Sequence, residues 1–555
     1  MHKILKKTIK YTACGIGVLL LAIILFVSIL YFSADMLAPD YTPKANGELV
    51  QTDSLREYAG NYLRQSNSGL WELKVSGDAF QRGEAIGKLS SDLLYYQEKV
   101  FVDQIREIVP SDNYLKFLRY FIVLFNRNLG KNVPEEFRDE IYGISLSCTH
   151  EYDFIGTPYE RQLNYHSAHD LGHAMQDYML VGCSSFATWG ENSADSSLII
   201  GRNFDFYMGD KFAHNKLVSF YQPEQGYKFA SVGWPGMIGV LSGMNETGLT
   251  VTINAAKSDM PTASATPISI LTREILQYAS TIDEAYAIAL KRKTFVSESI
   301  LIGSARDGRA AIIEKSPEKT ALFTSSDNQI ICTNHYQSDT FRNDERNQEN
   351  IATSDSPYRF ARLQELLKEN KPIDPMKAAS ILRNQKGLDN IDLGMGNEMA
   401  INQLIAHHSV IFLPEKQIMY VSTSPWQCGK YMTYDLNKIF SDTIDFHHEI
   451  ATLKLTIPED NFIRQANYKQ FMAYKQLTKL IREKTQRKET IATKVLNLYE
   501  ASNPSFYYVY EVLGDYYAAI QQTGTAIIYW QKALTMPIPK QAEKVRIQQK
   551  INKNQ

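Results

Sequence analysis

The sequence predicts an α+β layered body, with one apolar helix ahead of it and a helical extension behind. Three observations carry this. Short strand pairs joined by Gly-containing turns fill the middle of the chain, without the regular strand–helix alternation of a doubly wound sheet. The apolar run Ala13–Phe32 has the roughly twenty residues that span a bilayer. From about Pro458 the pattern turns helical again and ends in a repeat-like spacing of aromatic and small residues. At 555 residues the chain exceeds one ordinary core, so more than one domain is expected.

Bulk properties exclude several classes. A hydrophobic share of 44% and a charged share of 22% are those of a globular protein. A net charge of -2 argues against a nucleic-acid partner. The five cysteines are odd in number and widely scattered, which speaks against a disulfide framework or a zinc module but leaves a Cys148–Cys428 bridge open. No Gly-rich phosphate loop occurs, so no nucleotide and no other cofactor is expected.

Residues 1–34 read as a cytoplasmic basic flank and a transmembrane signal anchor. Lys3, Lys6, Lys7 and Lys10 precede the apolar run, which places the rest of the chain on the extracytoplasmic side, periplasmic or extracellular. The run is longer than the apolar core of a cleaved signal peptide, although Ser33-Ala34 offers small residues for a cut. Residues 35–54 read as a tether, and 55–182 as a mostly helical segment ahead of the main body. Within it, Asp78–Gly87 leads into Leu89, Leu93, Leu94 and Val100 near helical spacing. Pro134-Glu135-Glu136 opens another helix with the acids its dipole prefers. His166, His169 and His173, with Asp170, share one helical face. The glutamate of a zincin motif is missing, so a structural or precursor role is expected and no metal.

The body, 183–457, opens at Val181-Gly182-Cys183-Ser184-Ser185-Phe186, an alternating stretch that reads as a strand with one buried face. A second strand follows and ends in Gly201-Arg202-Asn203-Phe204-Asp205. A thiol attacks as thiolate, and a cation such as Arg202 beside it lowers its pKa. The competing reading of Cys183 is a plain core cysteine. Val240–Met244 and Leu249–Asn254 flank a hairpin turn in which Asn245 is a turn residue. Pro267–Leu290 reads as one helix, Ile330–Asn334 as a strand, and Ser356-Pro357-Tyr358-Arg359 as a helix start. His408–Phe412 pairs with Ile418–Ser422. In the extension, 458–555, Tyr510, Leu513, Gly514, Tyr517, Ala526, Trp530 and Ala533 fit tetratricopeptide spacing, with Tyr468–Tyr499 as a degenerate partner. A lone repeat buries its apolar face poorly, so docking on the body is expected ahead of a free groove for a protein partner.

Gly182-Cys183-Ser184-Ser185, Gly201-Arg202-Asn203-Phe204-Asp205, Gly243-Met244-Asn245-Glu246, Gly248-Leu249, Thr333-Asn334 and Arg359-Phe360 occur in that order. The ordered set resembles the N-terminal-nucleophile cysteine hydrolases, most closely the acyl-coenzyme A:6-aminopenicillanic-acid acyltransferase branch. Choloylglycine hydrolases and penicillin V acylases form the sister branch. The resemblance covers roughly 70–436.

It implies a four-layer αββα sandwich and self-cleavage at Gly182–Cys183. The freed α-amine, with a pKa near 8, would take the thiol proton. Carried over position by position, Arg202 would lie beside the thiolate and Asp205 would hold the amine. Asn254 would donate to the oxyanion, and Asn334 would orient the amine or share in that donor set. Arg359 would anchor Asp205 or the thiol neighbourhood. The implied activity is an anchored amidohydrolase acting on a small N-acyl amide. Acyl transfer is the rival, and an inactive scaffold working through its C-terminal helices is the reading from another class.

Overall fold

A computed structural model describes residues 2–41, 47–52, 54–108, 111–174, 181–259, 261, 263–441 and 443–555. Strand alternation builds its body. In Ser196–Phe206, Leu198 and Ile200 enter one apolar cluster and Ile199 another. In His408–Leu413, Val410 and Phe412 join the first, Ile411 and Leu413 the second. Successive side chains point to opposite faces, so a strand apolar at every position is covered on both sides.

Two sheets result. The smaller has six strands in the order Gln329–Cys332, Val181–Gly190, Ser196–Phe206, His408–Leu413, Ile418–Ser422, Tyr431–Asp435, all antiparallel. The larger has eleven, from Val50–Gln51 at one edge to Thr320–Phe323 at the other. The sheets face each other through Ala187, Ile200 and Val410 from one and Phe220, Met244 and Ile312 from the other. The far face of the small sheet packs on helices Ser356–Asn370 and Pro375–Leu382 through Phe186, Ile411, Leu363 and Leu382. The far face of the large sheet packs on Ala79–Leu89, Glu135–Ser145 and Ile268–Tyr278, burying Val251 and Ile302 against Ile86, Ile141 and Leu271. The layer order is therefore helix, sheet, sheet, helix.

The segment 55–182 departs from the mostly helical expectation at its start. Leu55–Tyr58, Asn61–Gln65 and Trp71–Gly77 are strands of the large sheet, and the last pairs in parallel with Leu217–Pro223. Arg56, Glu57, Arg64 and Lys74 interrupt the apolar alternation there, and the parallel pairing is non-local, so sequence pattern hides both. This segment is thus woven into the body that was expected to begin at 183. The expected tether, 35–54, also starts docked. Asp35 N donates to Arg127 O at 2.8 Å, Gly130 N donates to Asp35 O at 3.1 Å, and Met36 is buried. A Cβ on Gly130 would stand 2.3 Å from Asp35 O, so that approach requires glycine. The expected Pro267–Leu290 helix is two, Ile268–Tyr278 and Ile282–Lys291; Thr281 caps the second by accepting from Glu284 N at 3.2 Å.

Two glycines let Ala79–Leu89 and Glu135–Ser145 cross backbone to backbone. A Cβ on Gly83 would lie 2.0 Å from Glu140 O, and one on Gly143 2.5 Å from Glu84 N. At that crossing Glu140 is buried between Arg82 at 2.7 Å and Arg273 at 3.1 Å. Burial alone would raise its pKa, but Arg273 and Arg82 hold the carboxyl below its ordinary value. Glu140→Ala leaves the buried Arg273 guanidinium without its carboxylate and Arg82 with Glu136 alone, at 3.0 Å. Denaturant unfolding should show a loss of about 3–5 kcal/mol.

At the N-terminus, His2–Phe32 is one helix; its Cys14–Phe32 stretch has mean hydropathy 2.8, is unburied, and is long and apolar enough to cross a membrane. At the other end, five helices from Ala466–Gln486 to Gln541–Asn554 share a core that includes Leu404 and Cys428 of the body. Asn503 exchanges two hydrogen bonds with the backbone of Met395, at 2.8 and 2.9 Å, and Asn397 Nδ2 donates to Pro537 O at 3.2 Å. The five cysteines are all free, so Cys148 and Cys428 form no bridge. Cys148 lies under the large sheet and Cys428 against the C-terminal helices.

Candidate active site

The register of two neighbouring strands assembles the site. Cys183 lies opposite Phe204, Gly182 opposite Asp205 and Ser185 opposite Arg202. Arg202 shares parity with Leu198 and Ile200, and Cys183 with Ala187, so both side chains enter the space between the sheets. There Arg202 Nη2 lies 3.6 Å from Cys183 Sγ. The guanidinium is pinned from several sides. Nη1 donates to Ser242 Oγ at 2.5 Å, Nη2 donates to Ile253 O at 2.5 Å, and the group lies 4.3 Å over the Phe204 ring. In this closed setting burial lifts the Cys183 thiol to about 11, against the pull of Arg202.

Asp205 stands three residues from Arg202 and therefore faces the other side of the sheet. It is fully buried, and among the described residues neither carboxylate oxygen has a hydrogen-bond partner. Burial pushes its carboxyl up to about 7, with Arg359 and then Arg202 pulling the other way. Around the Cys183 backbone, Asn334 Oδ1 accepts from Cys183 N at 3.1 Å and from Arg359 Nη2 at 2.7 Å. Asn334 Nδ2 donates to Ala255 O at 2.7 Å. Arg359 Nη1 donates to Cys183 O at 2.6 Å and to Ser184 Oγ at 3.1 Å, while its Nε donates to Asp355 at 2.8 Å. The sulfur thus meets one arginine on the inner face, and the peptide on either side of Cys183 Cα meets an asparagine and a second arginine on the outer one.

Asn254 joins the cluster through Ser185, whose Oγ donates to Asn254 Oδ1 at 2.9 Å; Asn254 Nδ2 donates to Cys332 O at 2.8 Å. In this state, then, the residue expected to serve the oxyanion is bonded to a strand carbonyl. Asn245 Oδ1 accepts from Thr247 N and Leu249 N, both at 3.0 Å, closing its hairpin turn. Gly182 admits Gln403, whose Nε2 would stand 2.7 Å from a Cβ there.

Several supporting residues escaped sequence reasoning: Gln403, Ser242, His407 and His408. His408 Nε2 lies 3.3 Å from Arg202 Nη1, and arginine can only donate, so that nitrogen accepts. Nδ1 then carries the proton and donates to His407 Nδ1 at 2.9 Å. Burial holds both rings neutral, with His407 down to about 3 and His408 well below its ordinary value. The signal available was the His-His pair at the start of a strand that pairs with the Arg202 strand, His408 opposite Phe204 and Val410 opposite Arg202.

The histidine face ahead of the nucleophile stays apart from the cluster. His166 Nδ1 donates to Gln162 O at 2.8 Å and Nε2 accepts from Ile238 N at 3.2 Å, so both ring nitrogens are engaged. Burial lowers it to about 4. Asp170 accepts from Ile268 N at 2.8 Å. The side chains of His169 and His173 lie outside the described residues.

Residues 190–420 match the family described as acyl-coenzyme A:6-aminopenicillanic acid acyl-transferase. The matched stretch holds Arg202, Asp205, Asn254, Asn334 and Arg359 and begins after Cys183. Among curated proteins, an uncharacterized protein of Archaeoglobus fulgidus is 24% identical over 277 residues, 47% of this chain and 46% of that one. Protein dcd1B of Dictyostelium discoideum is 23% identical over 271 residues, 45% of this chain and 51% of that one. The chain spans about half the length of these relatives. Solved structures that align include a Caenorhabditis elegans N-acylethanolamine-hydrolyzing acid amidase ortholog, at 14% identity over 42% of this chain and 93% of that one, TM-score 0.31. A penicillin V acylase from Agrobacterium tumefaciens aligns at 16% identity over 46% of this chain and 87% of that one, TM-score 0.30. By its sequence match, the segment 190–420 is similar to the acyl-coenzyme A:6-aminopenicillanic acid acyl-transferase family.

Proposed function

We propose that the protein is a membrane-anchored N-terminal-nucleophile amidohydrolase that activates itself at Gly182–Cys183. Asp205 carries this reading. A fully buried carboxyl without a hydrogen-bond partner among the described residues sits in register with Gly182, beside the peptide to be cut. An isolated buried charge is costly, and a cation arriving at that spot relieves it. Cleavage would supply one, the α-ammonium of Cys183.

Activation starts when Cys183 Sγ attacks the Gly182 carbonyl carbon. The C–N bond breaks, the nitrogen takes up the thiol proton and leaves as the α-amine, and a thioester forms. Water then hydrolyses the thioester to the Gly182 carboxylate and the free thiol. In turnover the amine takes the thiol proton, and the thiolate, held by Arg202, attacks the carbonyl carbon of the N-acyl substrate. The leaving amine takes the proton back, and water releases the acyl group from sulfur. Asn334 and Arg359 hold the backbone around Cys183, and Asn254 turns one amide hydrogen toward the oxyanion.

Hydrolysis is preferred over transfer because a body outside the cytoplasm, anchored through residues 13–32, would not meet an acyl-coenzyme A donor. The docked C-terminal helices argue against a free peptide groove. After cleavage the strands of 50–77 would keep the two pieces in one sheet. The pieces should therefore co-elute natively and separate only in denaturant, and fragments that part in native buffer would contradict this. The activity test is a panel of N-acyl amino acids, N-acyl amines and phenoxyacetyl amides, read as release of the amine. Release should stop on thiol alkylation and in Cys183→Ala. Release that survives Cys183→Ala would overturn the assignment.

A further inference from the structure

The helix Asp112–Phe125 presents an apolar face that the body does not cover. Tyr114, Phe117, Tyr120 and Phe121 are each 50–55% exposed, and Ile122 is 38% exposed. Residues 114, 117 and 121 fall on one side at helical spacing, with 120 next to them. The rings form their own row: Tyr114–Phe117 centroids are 6.2 Å apart and Phe117–Phe121 5.1 Å. The opposite side is seated on the body through buried Leu115 and Val123, and Arg119 pairs with Glu160 at 3.3 Å. A contiguous patch of this kind marks an interaction surface.

Its position singles out the occupant. The apolar helix ends at Phe32, and Asp35 is already bonded to the backbone of Arg127 and Gly130, just past Asp112–Phe125. Two residues, Ser33 and Ala34, lie between, so the span and the body cannot drift more than a few ångströms apart. Tyr31, in the last turn of the span, contacts Tyr120 with ring centroids 5.5 Å apart. The aromatic row therefore continues from the point where the span leaves the membrane. Tyrosines and phenylalanines at that level are the composition of an interfacial belt.

We propose that Asp112–Phe125 lies in the bilayer interface, seating the body on the membrane surface instead of letting it hang from a tether. This rests on the reading of Cys14–Phe32 as a membrane span.

The test uses the full chain reconstituted in phosphatidylcholine–phosphatidylglycerol vesicles. On a Cys14→Ser, Cys183→Ala background, which removes the exposed thiol and the proposed reactive one, Phe117→Cys and Phe121→Cys carry nitroxide labels, with Leu25→Cys and Ile528→Cys as references. Each label is read by its collision with oxygen and with a water-soluble nickel complex. Labels at 117 and 121 should resemble the one at 25, with high oxygen and low nickel accessibility, and differ from the one at 528. Labels at 117 and 121 that resemble 528, while 25 reports lipid, overturn this placement alone. Shielding at 117 and 121 from both reagents means that protein, such as a second copy, covers the face, and also overturns it. A water-exposed label at 25 overturns the span and this inference with it.

Discussion

Asp205→Asn should have opposite effects on the uncut and the cut protein. In an uncleavable Cys183→Ala chain it should raise stability at pH 8 by roughly 2–4 kcal/mol. The sign follows from the protons. The folded chain holds Asp205 near 7 and the unfolded chain releases its proton near the ordinary 3.8. Between those values the folded state binds more protons, so stability falls as pH rises through that window and is flat above it. Asparagine carries no charge and escapes that loss. The two chains should become equally stable below about pH 4, where both states of Asp205 are protonated. In the cut wild-type enzyme the same substitution removes the partner of the α-ammonium, and kcat/KM should fall by about 10²–10⁴-fold. Denaturant titrations at pH 4 and pH 8, beside kinetics on the cleaved form, check both halves. An uncut chain destabilised by Asp205→Asn at pH 8 would mean the carboxylate already has its partner.

Cys183→Ala should remove both chemistries at once. The chain should stay whole, and amide turnover should drop by about 10⁴-fold or more, as loss of a nucleophile does elsewhere. Folding should survive, since the change exchanges one small buried side chain for another opposite Phe204. Circular dichroism and thermal unfolding separate the two outcomes. A folded variant that still turns over would place the nucleophile elsewhere, and one that unfolds would give Cys183 a structural role.

The inner half of the site was legible because strand period is simple. Cys183 in one alternating stretch and Arg202 in the next fall on one face once the two strands pair, and Asp205, three residues on, must fall on the other. Asn334 and Arg359 came from the order of motifs that resembles a known family, not from spacing; their convergence on one backbone unit depends on contacts more than 150 residues apart in sequence. Non-local contacts also explain what was missed. Trp71–Gly77 is marked as a central strand only by its parallel partner Leu217–Pro223. Gln403 and Ser242 look like ordinary polar residues until folding brings them to Gly182 and Arg202. The docking at the start of the expected tether was hidden because two residues, Asp35 and Met36, dock by backbone bonds and a single buried side chain, which leave no periodic trace.

In the proposed mechanism the working nucleophile is a chain end. N-terminal sequencing with intact-mass measurement of the purified wild-type protein tests it most directly. A second polypeptide that begins at Cys183 with an unblocked α-amine, in one-to-one ratio with the segment ending at Gly182, is the predicted result. A preparation that hydrolyses N-acyl amides through Cys183 while the Gly182–Cys183 bond stays joined would contradict it.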